Sequence, residues 1–356
     1  MRLNGKEGTK YSLKDISIKS AQVSDIKDVS ECIPFDNFGK LPIFTLPNDA
    51  IVNDSNYKTF TDNNIKVIIP KTVDIEKRLE LVKQDIWVAF TITEFEKYFT
   101  GEEHLEVIEN KKYYVLIDTD NGNSNAAFEI IMEANKIFND KICTMVNNIT
   151  NPETYRTVFD SDINYICISE KHPSMDCGID YPIASLLEET LEVREDIRKT
   201  GVCGCRLPKI VVYADIETFS DIVKLLAIGA EHVMVDKPLL KTLESNSPKN
   251  INWEDGVIGG TFGDIYKRLG IWYGVYSEEY VNEQNKELDD EHKLQVGEVP
   301  IGKITTKGVN GEELDVDYTV VKWSETLKDN IRLAMAATNT RNMFEFNRNT
   351  QLVTLK

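Results

Sequence analysis

KIVVYADIETFSDIVKLLAIGAEHVMV, residues 209–235, reads as a strand, a helix and a second strand. Lys209–Tyr213 and His232–Val235 are apolar and β-branched without polar alternation, as strands buried on both faces of a parallel sheet are. Ser220–Ala227 between them has helical spacing, and two parallel strands need such a crossover. The same beat recurs outward from this unit. Leu41–Leu46, Ile65–Ile69, Trp87–Thr91, Tyr113–Ile117, Lys141–Val146 and Tyr165–Ile168 are further strand candidates, and Val73–Val82, Ala126–Phe138 and Ile183–Arg198 are helical. Eight βα units predict an α/β fold of the (β/α)8 TIM-barrel type rather than an open doubly wound sheet, which usually has about five to seven strands. The open dinucleotide-binding fold also lacks its Gly-x-Gly-x-x-Gly after the first strand.

The beat stops after residue 245. Residues 246–317 are rich in Gly, Asn and charge, with an acidic run at Glu287–Glu291 and an aromatic island at Ile271–Tyr276. Segments of that length are commonly lids or binding loops. The expectation is a single barrel domain over residues 1–356 that carries 246–317 as a lid or flap over its mouth. A last amphipathic helix at Glu325–Thr338, with Leu327, Ile331, Ala334 and Met335 on one face, then closes the chain.

Composition narrows the function. The 356 residues hold 41 Lys+Arg against 59 Asp+Glu, a formal charge of −18, and show no basic cluster. That surface repels nucleic acid and anionic lipid, so neither is an expected partner. No run of about eighteen apolar residues spans a bilayer, and the polar start MRLNGKEGTKYSLKD lacks a signal sequence, so a soluble cytoplasmic protein is expected. Six scattered cysteines suit free thiols better than a disulfide framework.

Barrel chemistry is placed at the carboxyl ends of the strands. Those ends supply Asn48 and Asp49, Pro70 and Lys71, Thr91 and Thr93, Asp118, Asp120 and Asn121, Asn147 and Asn148, Ser169 to His172, Asp215 and Glu217, and Asp236 and Lys237. The set is polar and mostly acidic, and turns need polar residues in any case. Cys177, in KHPSMDCGIDYP, is the one thiol in a polar loop past a strand end. It is the candidate nucleophile, although Asp176 and Asp180 flank it where a thiolate wants a cation. Cys203 and Cys205 lack a second ligand pair, and the four histidines have no ligand spacing, so no metal site is expected. His232 opens a buried strand and reads as structural.

Several of these stretches, in order along nearly the whole chain, resemble the inosine monophosphate dehydrogenase and guanosine monophosphate reductase superfamily. They are YSLKDISIK, VLIDTDNGNS, MVNNIT, GIDYPIASLLEE, VVYADIETFSDIVKLLAIGAEHVMV and WYGVYSEEY. The reductase branch fits better, because the chain has no room for the regulatory insert usual in the dehydrogenases. The resemblance implies a divergent oxidoreductase in purine nucleotide metabolism, acting on a purine nucleotide with NADP and assembled as a homo-oligomer, a tetramer or octamer.

It implies Cys177 as the nucleophile and a lid glutamate, Glu291 or Glu298, in the proton relay. It implies substrate contacts from Asp49, Ser174, Asp215 and the lid residues Tyr273, Gly274 and Val275, and cofactor contacts from Asp118 and Asn147; Lys237, which the family does not have, is a further candidate substrate contact as a cation set against one of the neighbouring carboxylates. The chain departs from the family at the phosphate cradle. Lys171–Gly178 lacks the flanking glycines, Asp215-Ile216-Glu217 replaces Asp-Gly-Gly, and Asp236-Lys237 replaces Gly-Ser. Two other readings therefore stay open: an enzyme on the same barrel with an unphosphorylated substrate, and a barrel kept as a binding or assembly module without chemistry.

Overall fold

Runs such as YICIS and KIVVY can bury both faces only between an interior and an outer layer of helices. The computed structural model, which describes residues 8–102, 104–170, 178–201, 207–253, 256–260, 271–272, 275–276, 303–307, 313–316 and 318–355, gives them that place. The strands are β1 (Ile43–Thr45), β2 (Ile68–Ile69), β3 (Trp87–Phe90), β4 (Tyr113–Ile117), β5 (Ile142–Ile149), β6 (Tyr165–Ser169), β7 (Lys209–Tyr213) and β8 (His232–Val235). They form one parallel eight-stranded sheet in the order β1-β8-β7-β6-β5-β4-β3-β2. A parallel bridge between Phe44 and Lys66 joins its two edges. The Thr45 N–H donates to Lys66 O at 2.9 Å, and the Lys66 N–H donates to Ile43 O at 3.1 Å. The fold is the expected (β/α)8 barrel.

The helices are α1 (Tyr57–Asp62), α2 (Ile75–Val82), α3 (Ile92–Phe95), α4 (Asn125–Phe138), α5 (Thr154–Asp160), α6 (Ile183–Lys199), α7 (Phe219–Ile228), α8 (Lys237–Leu240), α9 (Val320–Ala337) and α10 (Met343–Asn349). Helix α9 begins five residues before its periodicity suggests, because Thr319 caps it by accepting from the Lys322 N–H. Among the described residues no helix is long and apolar enough to cross a membrane.

Period-two alternation divides the core in two. One set of side chains packs between sheet and helices, and the other fills the barrel: Phe44, Trp87, Met145, Tyr165, Val211 and Met234 are among its members. Phe44, Trp87 and Tyr165 meet edge to face, with ring centroids 5.2–6.2 Å apart. Cys32, Cys143 and Cys167 are buried, unpaired thiols.

The amino end of the barrel is closed by charge. Asp36 sits in a turn that its own carboxylate holds, accepting from the N–H groups of Phe38 and Lys40. Its other oxygen pairs with Lys66 and lies 3.2 Å from His232 Nε2. The Phe38 ring lies across Lys66 and Lys209, at 5.6 and 5.2 Å from their ammonium nitrogens. Burial alone would raise the Asp36 pKa, but the His232 hydrogen bond and the Lys66 charge hold it well below the carboxylate range. Burial pushes His232 down to about 3, so its imidazole is neutral. His232 is structural, as its place at the head of a strand suggested.

Residues 246–317 carry more regular structure than their composition suggests. Lys249–Trp253, Gly256–Gly260, Lys303–Lys307 and Glu313–Asp315 form a four-stranded antiparallel sheet, and Ile271–Trp272 pairs with Val275–Tyr276. The segment is rooted beside β1, where the Ser247 N–H donates to Ala50 O at 2.7 Å. At the root Lys249 is fully buried, and its ammonium donates to Ser245 O, Ser245 Oγ and Ser247 O.

Candidate functional site at the barrel mouth

On β5, β6 and β7 the last inward-facing position is polar, Asn147, Ser169 and Tyr213, and just past β4 and β8 it is Asp118 and Asp236. After β4, Asp118 takes a hydrogen bond from Asn147 Nδ2 at 2.7 Å and an ion pair from Lys71 at 3.1 Å. Asn147 is itself fixed, because its Oδ1 accepts from the Thr119 N–H at 3.1 Å. The two residues to which the resemblance gives cofactor contacts are thus bonded to each other, on β5 and just past β4.

The backbone allows this by an irregularity. The β5–β6 register shifts between Val146 and Ile149, and Asn148 takes φ 57°. Gly122 lies directly against this kink: a Cβ on it would stand 2.0 Å from Asn147 O and 2.7 Å from Ile149 Cγ1. Gly122→Ala is therefore expected to push the 119–123 loop away and break the Asp118–Asn147 contact. A crystal structure of the variant with that 2.7 Å contact intact would contradict this.

A second polar group spans β6 to β8. Tyr213 donates its phenol hydrogen to Asp236 Oδ2 at 2.9 Å, and burial pushes the pKa values of both groups up. Lys237 donates to Asp215 Oδ1 at 2.7 Å, and the Asp215 N–H donates to Glu170 Oε1 at 2.7 Å. Ser169, at the end of β6, is 1% exposed and Asp236 is 6% exposed. Ser169 Oγ and Asp236 Oδ1 are buried atoms with no hydrogen-bond partner.

No family model matches this chain, and no curated protein matches it. Of the positions expected from the sequence, Asp118, Asn147, Asp215 and Lys237 lie at the mouth in two bonded pairs. Asp49 lies at the root of the 246–317 segment, where its main-chain carbonyl accepts from Asn246 Nδ2 at 2.9 Å. Val275 is described only as a backbone partner of Trp272. Cys177, Ser174, Tyr273, Gly274, Glu291 and Glu298 lie outside the described residues, as do Cys203 and Cys205.

Two contributors were missed as site residues, and a third had no role given to it. Gly122 had a signal in the Asn121-Gly122 dipeptide after a strand. Tyr213 had one in the alternation that turns Val211 and Tyr213 inward together. Ser169 stood among the strand ends with no role. Among the described residues no group of three or more His, Cys, Asp or Glu side chains is gathered for a metal ion.

Proposed function

We propose that this chain is a divergent oxidoreductase of the guanosine monophosphate reductase and inosine monophosphate dehydrogenase type, acting on a purine nucleotide or a related purine with a nicotinamide cofactor. The observation that carries the reading is the bonded Asp118–Asn147 pair at the barrel mouth, with Asp215 at the same mouth. These are positions to which the resemblance gives cofactor and ribose roles. The donor set suits a nicotinamide. Asn147 gives one amide hydrogen to Asp118 and takes one bond from Thr119, which fixes its orientation and leaves a second amide hydrogen for a carboxamide oxygen. The cofactor, NADP by resemblance, supplies the hydride when bound.

The chain's own groups do the positioning. Lys71 balances the charge of Asp118, so the Asn147 anchor does not place a bare carboxylate beside the ligand. Lys237 holds the Asp215 carboxylate in one orientation for the ribose hydroxyls. Cys177 is the proposed nucleophile toward the purine ring, Glu298 the proposed proton carrier, and Ser174 and Tyr273–Val275 the remaining substrate contacts. A cytoplasmic homo-oligomer belongs to the same proposal.

The test is thermal unfolding of the full chain with guanosine, inosine and their monophosphates, each alone and with NADPH, alongside NADPH oxidation read by absorbance. A ligand at about 100 times its Kd adds about 2.7 kcal/mol, a rise of a few degrees. Cys177→Ala should keep the shift and lose the oxidation. A protein that no purine stabilises, with or without NADPH, is not this enzyme.

A further inference from the structure

The carboxyl ends of β6, β7 and β8 bring three inward-facing polar side chains together. Ser169 follows Cys167 at the next inward position of β6, Tyr213 follows Val211 on β7, and Asp236 follows Met234 just past β8. Ser169 and Tyr213 are register partners on neighbouring strands, and Tyr213 is hydrogen-bonded to Asp236, so the three form one continuous patch. Two of its atoms, Ser169 Oγ and Asp236 Oδ1, are out of reach of solvent and unbonded. Leaving such groups bare costs free energy, and most buried polar atoms in folded proteins have partners. Deeper in the barrel the wall is apolar, so the patch is the floor of the mouth.

The chemistry of the two bare atoms is complementary. The Asp236 carboxyl oxygen accepts a hydrogen, and the Ser169 hydroxyl both gives and accepts one. An alcohol also does both. A phosphate monoester offers mainly anionic acceptors, and it would approach Asp236 with a second carboxylate, Asp215, held at the neighbouring strand end by Lys237. Among the described residues the two lysines that the strand ends bring to the mouth are each engaged by a carboxylate, Lys71 by Asp118 and Lys237 by Asp215.

We infer that the Ser169–Tyr213–Asp236 patch is a subsite for an uncharged hydroxyl group, and that the ligand of this mouth is a nucleoside rather than its 5′-monophosphate. The inference rests on the purine reading above and names the substrate class within it. Tyr213 is a positioning residue, because its phenol holds Asp236 Oδ2 and turns Oδ1 to the ligand.

The experiment is isothermal titration of the full chain, with saturating NADPH, against guanosine, inosine and the two corresponding monophosphates. The nucleoside should bind more tightly than its own monophosphate by about tenfold or more, since juxtaposed like charges discriminate strongly. Asp236→Asn, which keeps the shape and removes the charge, should narrow that ratio by strengthening the monophosphate. A monophosphate that binds as tightly as its nucleoside, or more tightly, overturns the subsite and leaves the purine reading standing. Failure of all four ligands to bind overturns the purine reading itself. The wild-type ratio decides the matter even where the variant does not fold.

Discussion

Replacing Asp36 by alanine should lower the unfolding free energy of this protein by about 3–5 kcal/mol. The side chains of Asp36 and Lys66 are each only 12% exposed, so removing the carboxylate leaves an ammonium in the barrel floor with no countercharge. Phe38 and its cation–π contacts with Lys66 and Lys209 depend on the same turn, which the Asp36 carboxylate holds. Urea unfolding at neutral pH measures the loss. The double replacement Asp36→Leu with Lys66→Met should recover much of it, because two apolar groups in place of an ion pair leave nothing uncompensated. A single variant within about 1 kcal/mol of the wild type would show the cluster to be idle, since surface changes cost less than that.

The same cluster makes the fold sensitive to acid. Asp36 has a folded pKa below its ordinary 3.8, so its contribution is complete above that value and is lost as pH falls through the folded pKa. His232 ordinarily titrates at 6.5 but at about 3 when folded. The unfolded chain therefore takes up its proton first, and stability declines as pH falls from about 6.5. His232 should thus make the wild type less stable at pH 5 than at pH 7, and Asp36 adds to the loss in the same direction only below about pH 4.

Phe44→Ala should cost a similar amount, about 3–5 kcal/mol. Phe44 is fully buried at the centre of the barrel, edge to face with Trp87 and Tyr165, and 5.1 Å from the His232 ring. The strands around it are hydrogen-bonded into a ring and cannot collapse into the space left behind, which is the condition under which cavities cost most. Phe44→Leu, which refills most of the volume, should restore the larger part. Calorimetric unfolding of the two variants gives the comparison. An alanine variant that unfolds with the wild type would mean that the interior is not packed as a core.

The barrel could be read in the sequence because burial on both faces leaves an unusual mark: IKVIIP, YYVLID, YICIS, KIVVY and HVMV are apolar at nearly every position. All eight strand assignments overlap strands of the structure. Helices α1, α3, α5 and α8 are too short to show a period, and went unassigned. The antiparallel strands at 249–253 and 303–307, KNINW and KITTK, mix polar and apolar residues in segments too short to stand out from a polar loop.

The mouth was legible as a set of positions, since Asp118, Asn147, Asp215 and Lys237 follow directly from where the strands end. Their pairings were not. Asn147 bonds Asp118 because of a register shift in β5, and no residue type announces that shift. Asp236 read only as a replacement in the phosphate cradle; its burial and its bond from Tyr213 needed the fold.

The ring of strands has one join unlike the others. Between β1 and β2 the ladder is a single bridge, Phe44 to Lys66, and the Ile68 N–H goes to the Thr45 side chain rather than to a strand carbonyl. Lys66 belongs both to that bridge and to the Asp36 cluster. Wherever the barrel breathes, it has a preferred place to part, and the Asp36 turn is the latch across it. Parting there would turn a surface without edges into an open sheet with two raw ones, offering unpaired amides to any other strand in solution. The ion pair at the barrel floor thus guards the molecule against self-association as well as against unfolding.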